Sequence, residues 1–324
     1  ATVAEIIHIA PVQIMLTLEV WSPFMVLCRT TILSKRKKNS GMNQNKSYPI
    51  VLSIAGSDSS GGAGIQADLK AFSALGVYGA TAITAITAQN TQGVNSQFAL
   101  PPQMVYDQIT AVIDDLNLSI VKIGMLSNVE IVNAVADALS NYDVKIVLDP
   151  VIVSTSGHRL LSVEAQDVIK ERLLPMCEIV TPNIPEMETL ANMPVSSFEE
   201  KEKAANYLLS LGSKSVLLKG GHEDGEIKKD YLFFNGQQST VNGQQSLSFV
   251  SETILTKNVH GTGCTLSSAI AAFMARGLAL EDAVREAKLY VTEAIRTGAD
   301  VKIGHGFGPV NHFFNPLPLI KNEK

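Results

Sequence analysis

From Pro49 onward, short apolar runs alternate with longer segments of helical periodicity. Six runs are apolar, or rich in small and β-branched residues, along most of their length: Ile50–Ala55, Ala80–Ala88, Ile120–Ile123, Val144–Leu148, Glu178–Val180 and Ser215–Leu218. Strands that do not alternate between polar and apolar residues are typical of parallel sheets, because helices cover both faces of such a sheet. The pattern predicts an α/β fold with a mostly parallel central sheet between two helix layers.

Helices are predicted between these strands and after the last of them. The helical segments are Ile65–Leu75, Met104–Leu116, Val129–Leu139, a stretch with Ala165, Val168, Ile169 and Leu173 on one side, Phe198–Leu211, Thr265–Ala275 and Glu281–Thr297. Lys229–Phe234 and Leu247–Ile254 predict an antiparallel pair late in the chain. Because ligands bind beyond the carboxyl ends of parallel strands, we expect the loops after the six strands to line one site.

Residues 1–41 have a different pattern from the rest of the chain. They are apolar without a clear period and end in the basic run Lys35–Lys38. Their uncharged runs, Ile6–Leu18 and Val20–Cys28, are shorter than the ~18–20 residues that a spanning helix needs. We therefore expect 1–41 to be an extension of unknown role outside the fold, and 42–324 to form one domain. A signal anchor with a cytoplasmic basic flank is the alternative.

Charge and cysteine content narrow the function classes. A formal net charge of −5 argues against general nucleic-acid binding, which needs a basic face. The three cysteines are far apart and odd in number, so no disulfide framework is indicated. We expect a cytoplasmic protein that binds neither nucleic acid nor membrane.

The first of two glycine-rich loops is Gly56–Gly64, between a predicted strand and a predicted helix. Its small residues allow a ligand to contact backbone N–H groups, and the helix start favours negative charge. Gly62–Ala67 fits the G-x-G-x-x-A dinucleotide pattern, but the ribose-binding acid expected about twenty residues later is absent from Leu69–Tyr106. We interpret the loop as a ligand-binding loop other than an NAD or FAD site; a tight turn without a ligand is the alternative.

The second glycine-rich loop is Asn258–Thr265, directly before a helix of small residues. Gly261 and Gly263 allow the backbone to wrap closely around a ligand, and the helix start supplies unpaired N–H donors. Such a cradle suits a transferring phosphoryl group, whose charge is spread over its oxygens. The sequence contains no G-x-x-x-x-G-K-[ST] motif and no H-R-D and D-F-G set, which excludes P-loop kinases and protein kinases.

Cys264 lies at this helix start, where the pKa of a thiol is expected to fall below its usual value of about 8.5. A partly ionised thiolate there could take a proton from an alcohol and promote its attack on phosphorus. The alternative is an ordinary small buried thiol, which is our interpretation of Cys28 and Cys177.

Several blocks, in the same order, resemble the hydroxymethylpyrimidine/phosphomethylpyrimidine kinases of thiamine biosynthesis. They are Ala55–Asp68, Thr87–Thr91, Lys122–Leu126, Leu148–Val151, Thr181–Asn183 with Glu186, Leu218–His222, His260–Thr265, and Gly304–Gly306 with Gly308–Val310. The similarity extends from about Tyr48 to Phe314, whereas residues 1–41 have no counterpart in the family pattern.

This resemblance implies a ribokinase-like three-layer αβα sandwich with a mostly parallel central sheet. It implies ATP-dependent phosphorylation of 4-amino-5-hydroxymethyl-2-methylpyrimidine, followed by phosphorylation of the monophosphate to the diphosphate. ATP is then the phosphoryl donor, Mg²⁺ the metal ion, and a homodimer the expected assembly.

The resemblance also assigns substrate-binding residues. Gln89 can both donate to and accept from an aminopyrimidine. Asp68 could accept from the same amino group, or could serve as an acid near a helix start. Gly56 would let the ring lie against the backbone. Met125 would cover a ring face, with a core methionine as the alternative.

For the transfer itself, the resemblance implies that Cys264 acts as the base, within the loop of Gly261, Thr262 and Gly263. Wider sugar-kinase relatives have an aspartate where this chain has Cys264, and the cysteine resembles the pyrimidine and pyridoxal kinase branch. Asn183 and Lys219 are expected at the ATP phosphates, and Asp149 and Glu186 at Mg²⁺. Solvated loop acids and a surface lysine are the alternatives. We interpret His222, His260 and His305 as hydrogen-bonding loop residues, because their spacing gives no metal triad.

Two other functions compete with this one. Pyridoxal kinase shares the implied fold, the Gly-x-Gly-Cys loop and a six-membered heteroaromatic alcohol as substrate. A catalytically silent ligand-binding module is the second, although such a module needs neither Cys264 nor Glu186.

Overall fold

The computed structural model describes residues 46–154, 157–221, 225–235, 246–319 and 322–323. The chain divides into two units, Ala1–Gln44 and Asn45–Lys324, and every described residue belongs to the second. Our predictions for residues 1–41 and for His222 fall outside the described residues. No helix in the described ranges combines the length and the apolar character needed to cross a membrane.

Within the described residues, eight strands form the main sheet and four lie outside it. In chain order the strands are β1 (Lys46–Ser47), β2 (Ile50–Ala55), β3 (Tyr78–Ile83), β4 (Ala85–Asn90), β5 (Gly93–Ala99), β6 (Ile120–Ile123), β7 (Lys145–Leu148), β8 (Cys177–Val180), β9 (Ser215–Leu218), β10 (Ile227–Phe234), β11 (Ser246–Glu252) and β12 (Asn322–Glu323). The main sheet has the order β11-β10-β9-β8-β7-β6-β2-β3, while β4 pairs with β5 and β1 with β12.

Strands β3, β2, β6, β7, β8 and β9 run parallel. At one edge β10 pairs antiparallel with β9, and β11 pairs antiparallel with β10. The parallel sheet and the late antiparallel pair are as the sequence predicts.

Helices cover both faces of the sheet. In chain order they are α1 (Gly64–Ala74), α2 (Pro102–Asp115), α3 (Val129–Leu139), α4 (Val163–Val168), α5 (Ile184–Ala191), α6 (Phe198–Ser210), α7 (Thr262–Ala275) and α8 (Leu280–Gly298). A π-turn, Ile169–Leu173, and a 3₁₀ turn, Leu174–Met176, follow α4 directly.

Alternation along the strands divides the core into two layers. Because successive side chains on a strand point to opposite faces, Leu52 and Ile54 pack with α2–α6, whereas Val51 packs with α1, α7 and α8. Helix α7 is buried from Thr265 to Met274, which its small side chains permit. The predicted αβα sandwich is confirmed.

One predicted strand is wrong, and the site residue Gln89 directly follows it. The run Ala80–Ala88 is two strands that belong to different sheets. The chain leaves the main sheet at Thr84, whose hydroxyl donates to Met125 O at 2.7 Å and whose backbone N–H donates to Ala55 O at 3.0 Å. Gln89 therefore lies in the hairpin β4–β5. Helix α5 is missing from the predicted elements, and α7 begins three residues earlier than predicted.

His312 makes the stability of this fold depend on pH. It is buried, its Nε2 lies 3.0 Å from Thr265 Oγ1, and burial lowers its pKa to about 4. At pH values between about 4 and the usual histidine pKa of ~6.5, the unfolded chain binds a proton at His312 more tightly than the folded protein does. The contribution of neutral His312 to the free energy of unfolding is therefore complete above pH ~6.5. As the pH falls toward 4 this contribution is lost, which lowers the free energy of unfolding by an amount on the order of 2–3 kcal/mol.

We therefore expect the free energy of unfolding, measured in urea, to fall less between pH 7 and pH 4.5 in His312→Gln than in the wild type. His158→Gln, at an exposed histidine, is the matched control and should keep the wild-type slope. Equal slopes in all three proteins would contradict the assignment to His312.

Candidate active site

A cavity of about 760 Å³ opens at the carboxyl edge of the parallel strands. Each of the six loops or strand ends predicted to line one site contributes to it: Gly56, Gln89, Met125, Asp149, Asn183 and Lys219. The prediction of a shared site at this edge is confirmed, although Gln89 reaches it from the hairpin.

The two glycine-rich loops pack against each other at the cavity wall. Gly261 has a φ of +80°, and a Cβ there would overlap the carbonyl oxygen of Gly62. Gly64 has a φ of +56°, and its Cβ would overlap the carbonyl oxygen of Gly56. Both positions require glycine for two reasons: the backbone is left-handed, and a carbonyl oxygen occupies the space that a Cβ would need.

Helix α7 points its first turn into this wall. Gly261 is its N-cap, so Thr262, Gly263 and Cys264 belong to the helix. The sequence analysis had instead placed these three residues in the loop before it. N–H groups in the first turn of a helix have no partner within the helix and suit an anion. A Cβ on Gly263 would lie 3.4 Å from Lys219 Nζ, so this turn faces the positive charge of Lys219.

Lys219, Asp149 and Glu186 form one buried charged group. Lys219 Nζ lies 2.7 Å from Asp149 Oδ1 and 3.7 Å from Glu186 Oε2. Burial alone would lower the pKa of Lys219, but the charges of both carboxylates raise it, so the ammonium is firmly protonated. Burial raises the pKa of Glu186 despite the opposing effect of Lys219.

Asn183 positions Glu186 through the first turn of α5. Its backbone N–H donates to Glu186 Oε2 at 2.8 Å, and its Oδ1 accepts from the Glu186 N–H at 2.8 Å. This reciprocal pair is a capping box. Asn183 thus holds Glu186 at the cavity and itself lines the cavity.

Cys264 lies in the cavity wall, but its acidity differs from the sequence expectation. Burial raises its pKa to about 11, and the nearby Lys122 and the backbone N–H of Gly64 lower it only in part. The thiol is protonated at neutral pH, which corrects the expectation of a partly ionised thiolate.

Asp68 lies behind the cavity wall and is not among the lining residues. Its fully buried carboxylate accepts from Lys122 Nζ at 2.9 and 3.0 Å, from Ser53 Oγ at 2.6 Å and from Ser268 Oγ at 2.6 Å. Lys122, in contrast, reaches the lining. The predicted direct contact between Asp68 and a substrate is not what this geometry provides, because protein donors already surround the carboxylate.

Asp68→Asn is therefore expected to act on stability. A buried ammonium that loses its only described ion-pair partner costs about 3–5 kcal/mol. We expect this loss in urea unfolding, whereas the double variant Asp68→Asn with Lys122→Met should recover part of it. A variant with full stability and a raised KM for the substrate alone would restore Asp68 to the binding site.

Gln89 reaches the cavity from β4, beside the second glycine loop. Its Nε2 position lies 3.4 Å from His260 Nε2, and its Oε1 position lies 3.3 Å from Thr87 Oγ1. Its strand is tied to the first loop, since Ser59 Oγ contacts both the N and the O of Gln89 at 2.8 Å. The histidine is a hydrogen-bonding loop residue, as the sequence indicates.

Gly56 and Met125 lie together at the same end of the cavity. A Cβ on Gly56 would come within 2.8 Å of Met125 Sδ, so the missing side chain at Gly56 admits the thioether. Both residues line the cavity, and Met125 is largely buried.

The opposite end of the cavity lies between β10–β11 and helices α7 and α8, and the sequence analysis assigned no residues to it. Its lining combines apolar side chains with an ion pair: Leu266, Val291, Ile295, Lys288 and Asp230. Lys288 Nζ lies 2.7 Å from Asp230 Oδ2. The one available signal for Lys122 is a charged residue within an apolar strand, whereas Asp230 directly follows two lysines in β10 and has no such signal.

Comparisons with known proteins agree on one family. A family model described as phosphomethylpyrimidine kinase matches residues 58–311. The hydroxymethylpyrimidine/phosphomethylpyrimidine kinase of Escherichia coli K12 is 46% identical over 264 residues, which are 81% of this chain and 96% of that protein.

Two solved structures are similar to the described fold. The phosphomethylpyrimidine kinase of Clostridium difficile 630 has a TM-score of 0.65 at 43% identity, covering 76% of this chain and 99% of its own. The pyridoxal kinase of Bacillus subtilis, in an ADP complex, has a TM-score of 0.73 at 33% identity, covering 82% and 98%.

Proposed function

Because the chain belongs to the phosphomethylpyrimidine kinase family, we propose that it acts on a pyrimidine alcohol in thiamine biosynthesis. It transfers the γ-phosphoryl group of ATP to the hydroxymethyl oxygen of 4-amino-5-hydroxymethyl-2-methylpyrimidine. It then phosphorylates the monophosphate to the diphosphate.

The observation that carries this proposal is the continuity of the cavity. One end offers an amide, a thioether and glycine backbone, at Gln89, Met125 and Gly56; the other is an apolar cleft beside α8. The first turn of α7 and Lys219 lie between the two ends. A flat ring and a nucleotide can therefore occupy opposite ends, with the transferring group between them.

At the pyrimidine end, Gln89 binds the amino group and ring nitrogen, while Gly56 and Met125, which lie against each other, both contact the ring. The hydroxymethyl oxygen then faces Cys264. Because burial raises the pKa of that thiol to about 11, its minor thiolate form accepts the hydroxymethyl proton while the alcohol oxygen attacks the γ-phosphorus and ADP leaves. Lys122 supplies a positive charge beside the sulfur.

At the phosphate end, the backbone of Gly261, Thr262, Gly263 and Cys264 binds the oxygens of the transferring group. Lys219 neutralises phosphate charge, and Asn183 holds Glu186 in place beside it. Preorganised donors of this kind supply most of the rate gain in phosphoryl transfer.

Asp149 and Glu186 fit a magnesium ion held mainly by phosphates and water. Within the described ranges no group of three or more His, Cys, Asp and Glu residues could hold a metal by itself. Two carboxylates near a triphosphate are what Mg²⁺ commonly uses, since it keeps several waters. When bound, the ion neutralises charge on the β- and γ-phosphates.

Product analysis tests the proposal. Purified protein with the pyrimidine alcohol and Mg-ATP should yield first the monophosphate and then the diphosphate, resolved by mass spectrometry. The monophosphate supplied alone should yield the diphosphate. Binding of both pyrimidines without any ADP release would instead identify a ligand-binding module.

Pyridoxal kinase is the second candidate, because the Bacillus subtilis enzyme of that name has the same fold at 33% identity. Measuring ADP release with each alcohol separates the two activities. We expect kcat/KM to favour the aminopyrimidine, because the Gln89 amide matches adjacent donor and acceptor groups on its ring.

We also propose a cytoplasmic homodimer. Ile86 and Phe98 on the hairpin β4–β5 are 45% and 67% exposed, an apolar surface that a second copy would cover. The three widely spaced cysteines suit a reducing compartment. Light scattering on the eluted protein gives the mass of the assembly, and fractionation of cells gives its location.

A further inference from the structure

Asp58, in the first glycine loop, is an ionised acceptor. Its Oδ1 accepts from the N and Oγ of Ser60, at 2.9 and 2.7 Å, and its Oδ2 from the N–H groups of Gly62 and Ala63, at 3.0 and 2.8 Å. Burial alone would raise the pKa of Asp58, but these bonds and one to His260 hold it well below its usual range. A carboxylate in this state can only accept hydrogen bonds.

His260 is fixed against this carboxylate. Its Nε2 lies 2.9 Å from Asp58 Oδ2, so Nε2 must carry a proton. A Cβ on Gly62 would overlap the imidazole ring, which places the ring directly over that glycine. The backbone N–H of His260 donates to Gly308 O at 3.0 Å. Both the ring position and the tautomer are thereby determined.

The neighbours of Gln89 then decide which way its amide points. Oxygen and nitrogen of an amide are nearly isosteric, so hydrogen-bond partners assign them. The position facing His260 must be the oxygen, because the Nε2 proton is directed at Asp58 and a protonated Nε2 has no lone pair that could accept an amide N–H. The position facing Thr87 must be the nitrogen, because the Thr87 hydroxyl spends its proton on Ser57 O at 2.7 Å and can only accept.

We propose that His260 is a positioning residue that fixes the orientation of the Gln89 amide and so determines which ring edge the cavity accepts. In this orientation the amide offers its second oxygen lone pair on the His260 side and its second N–H on the Thr87 side. A ring that presents an amino group to the oxygen and an unprotonated nitrogen to the N–H is matched at both positions.

The inference rests on the proposed function and deepens it to substrate discrimination. The 4-oxo analogue of the pyrimidine carries a carbonyl where the substrate carries its amino group, and an N–H where the substrate has a bare nitrogen. Against a fixed amide, the carbonyl oxygen of the analogue faces the amide oxygen, and its ring N–H faces the amide N–H, so neither position forms a hydrogen bond. An amide that is free to rotate by 180° would match it, so the selectivity depends on His260.

The experiment compares the amino substrate with the 4-oxo analogue in three proteins: wild type, His260→Gln and His260→Met. Gln keeps a side-chain N–H toward Asp58 and Gln89, whereas Met keeps the bulk without a donor. We expect wild type and His260→Gln to favour the amino compound by about 100-fold or more in kcat/KM. In His260→Met that ratio should fall below about tenfold, while KM for ATP stays within about twofold of wild type.

Thr87→Val and Thr87→Ser form a second pair that tests the other side of the amide, and they decide the question should His260→Met not fold. Thr87→Val removes the acceptor and should lose the ratio, whereas Thr87→Ser should keep it. Wild-type selectivity in both His260→Met and Thr87→Val overturns the inference. So does a wild type that uses both compounds equally.

Failure of the proposed function gives a different result. If wild type releases no ADP with the amino compound, the kinase proposal fails, and calorimetric binding of the two pyrimidines still measures their affinity ratio in each variant. A ratio that disappears in His260→Met supports the positioning role, and a ratio that persists refutes it.

Discussion

Replacing Cys264 with Ala is expected to lower kcat by a factor of about 10²–10⁴ and to leave the dissociation constant of the pyrimidine alcohol within about threefold. The thiol lies in the cavity wall beside the first turn of α7, where a base for the hydroxymethyl proton is needed. The remaining rate comes from positioning and from the backbone donors, which the substitution leaves in place. Steady-state kinetics and calorimetry measure the two quantities.

The pH profile sharpens this prediction. Because the pKa of Cys264 is raised to about 11, kcat of the wild type should rise with pH through neutrality, and the rise should be absent in Cys264→Ala. Cys177→Ala is the matched control. That cysteine is fully buried at the start of β8, and its thiol donates a hydrogen bond to Leu173 O at 3.1 Å. It should lose stability and keep kcat. An unchanged kcat in Cys264→Ala would remove the thiol as the base.

Gly261→Ala is the second large effect that we expect. An alanine there must adopt a φ of +80°, which costs about 1–2 kcal/mol, and its Cβ would overlap the carbonyl of Gly62. The two glycine loops then have to separate, and the backbone donors of the first turn lose their positions. We expect a fall in kcat/KM for ATP of about 10²–10³ together with a loss of stability.

The other end of the same helix provides the control. Gly277 has a φ of +90° with nothing within 4 Å of an added Cβ, so Gly277→Ala carries the same backbone strain without the overlap. It should cost about 1 kcal/mol in urea unfolding and leave kinetics unchanged. Similar activity in the two variants would show that contact between the loops is not needed for phosphoryl transfer.

The sequence predicts most of the fold because the parallel strands are apolar throughout. Runs such as Ile50–Ala55 have one interpretation, since only a sheet covered on both faces can bury every side chain. The strand Ala80–Ala88 fails for the same reason. Nothing in a uniform run of Ala, Thr and Ile marks Thr84 as the point where the chain leaves the sheet, because the bonds that turn it come from Ala55 and Met125.

In the site, sequence patterns place the residues well but do not predict their electrostatic environment. The glycine spacing around Cys264 predicts a helix start, and a helix start alone would lower the pKa of the thiol. Whether it does so depends on burial, which raises the pKa of Cys264 here and which the local glycine spacing does not reveal. Asp68 is similar, since only the folded chain brings Lys122 and Ser268 to its carboxylate.

The departure of the chain from the main sheet at Thr84 has a consequence for how such enzymes diversify. Under the proposed function, the amide that selects the acceptor ring, Gln89, lies on a hairpin with its own pairing, whereas the residues proposed for the transfer lie at the end of the parallel sheet and on α7. Exchanges within the hairpin can redirect the enzyme toward another heterocycle without disturbing the chemistry.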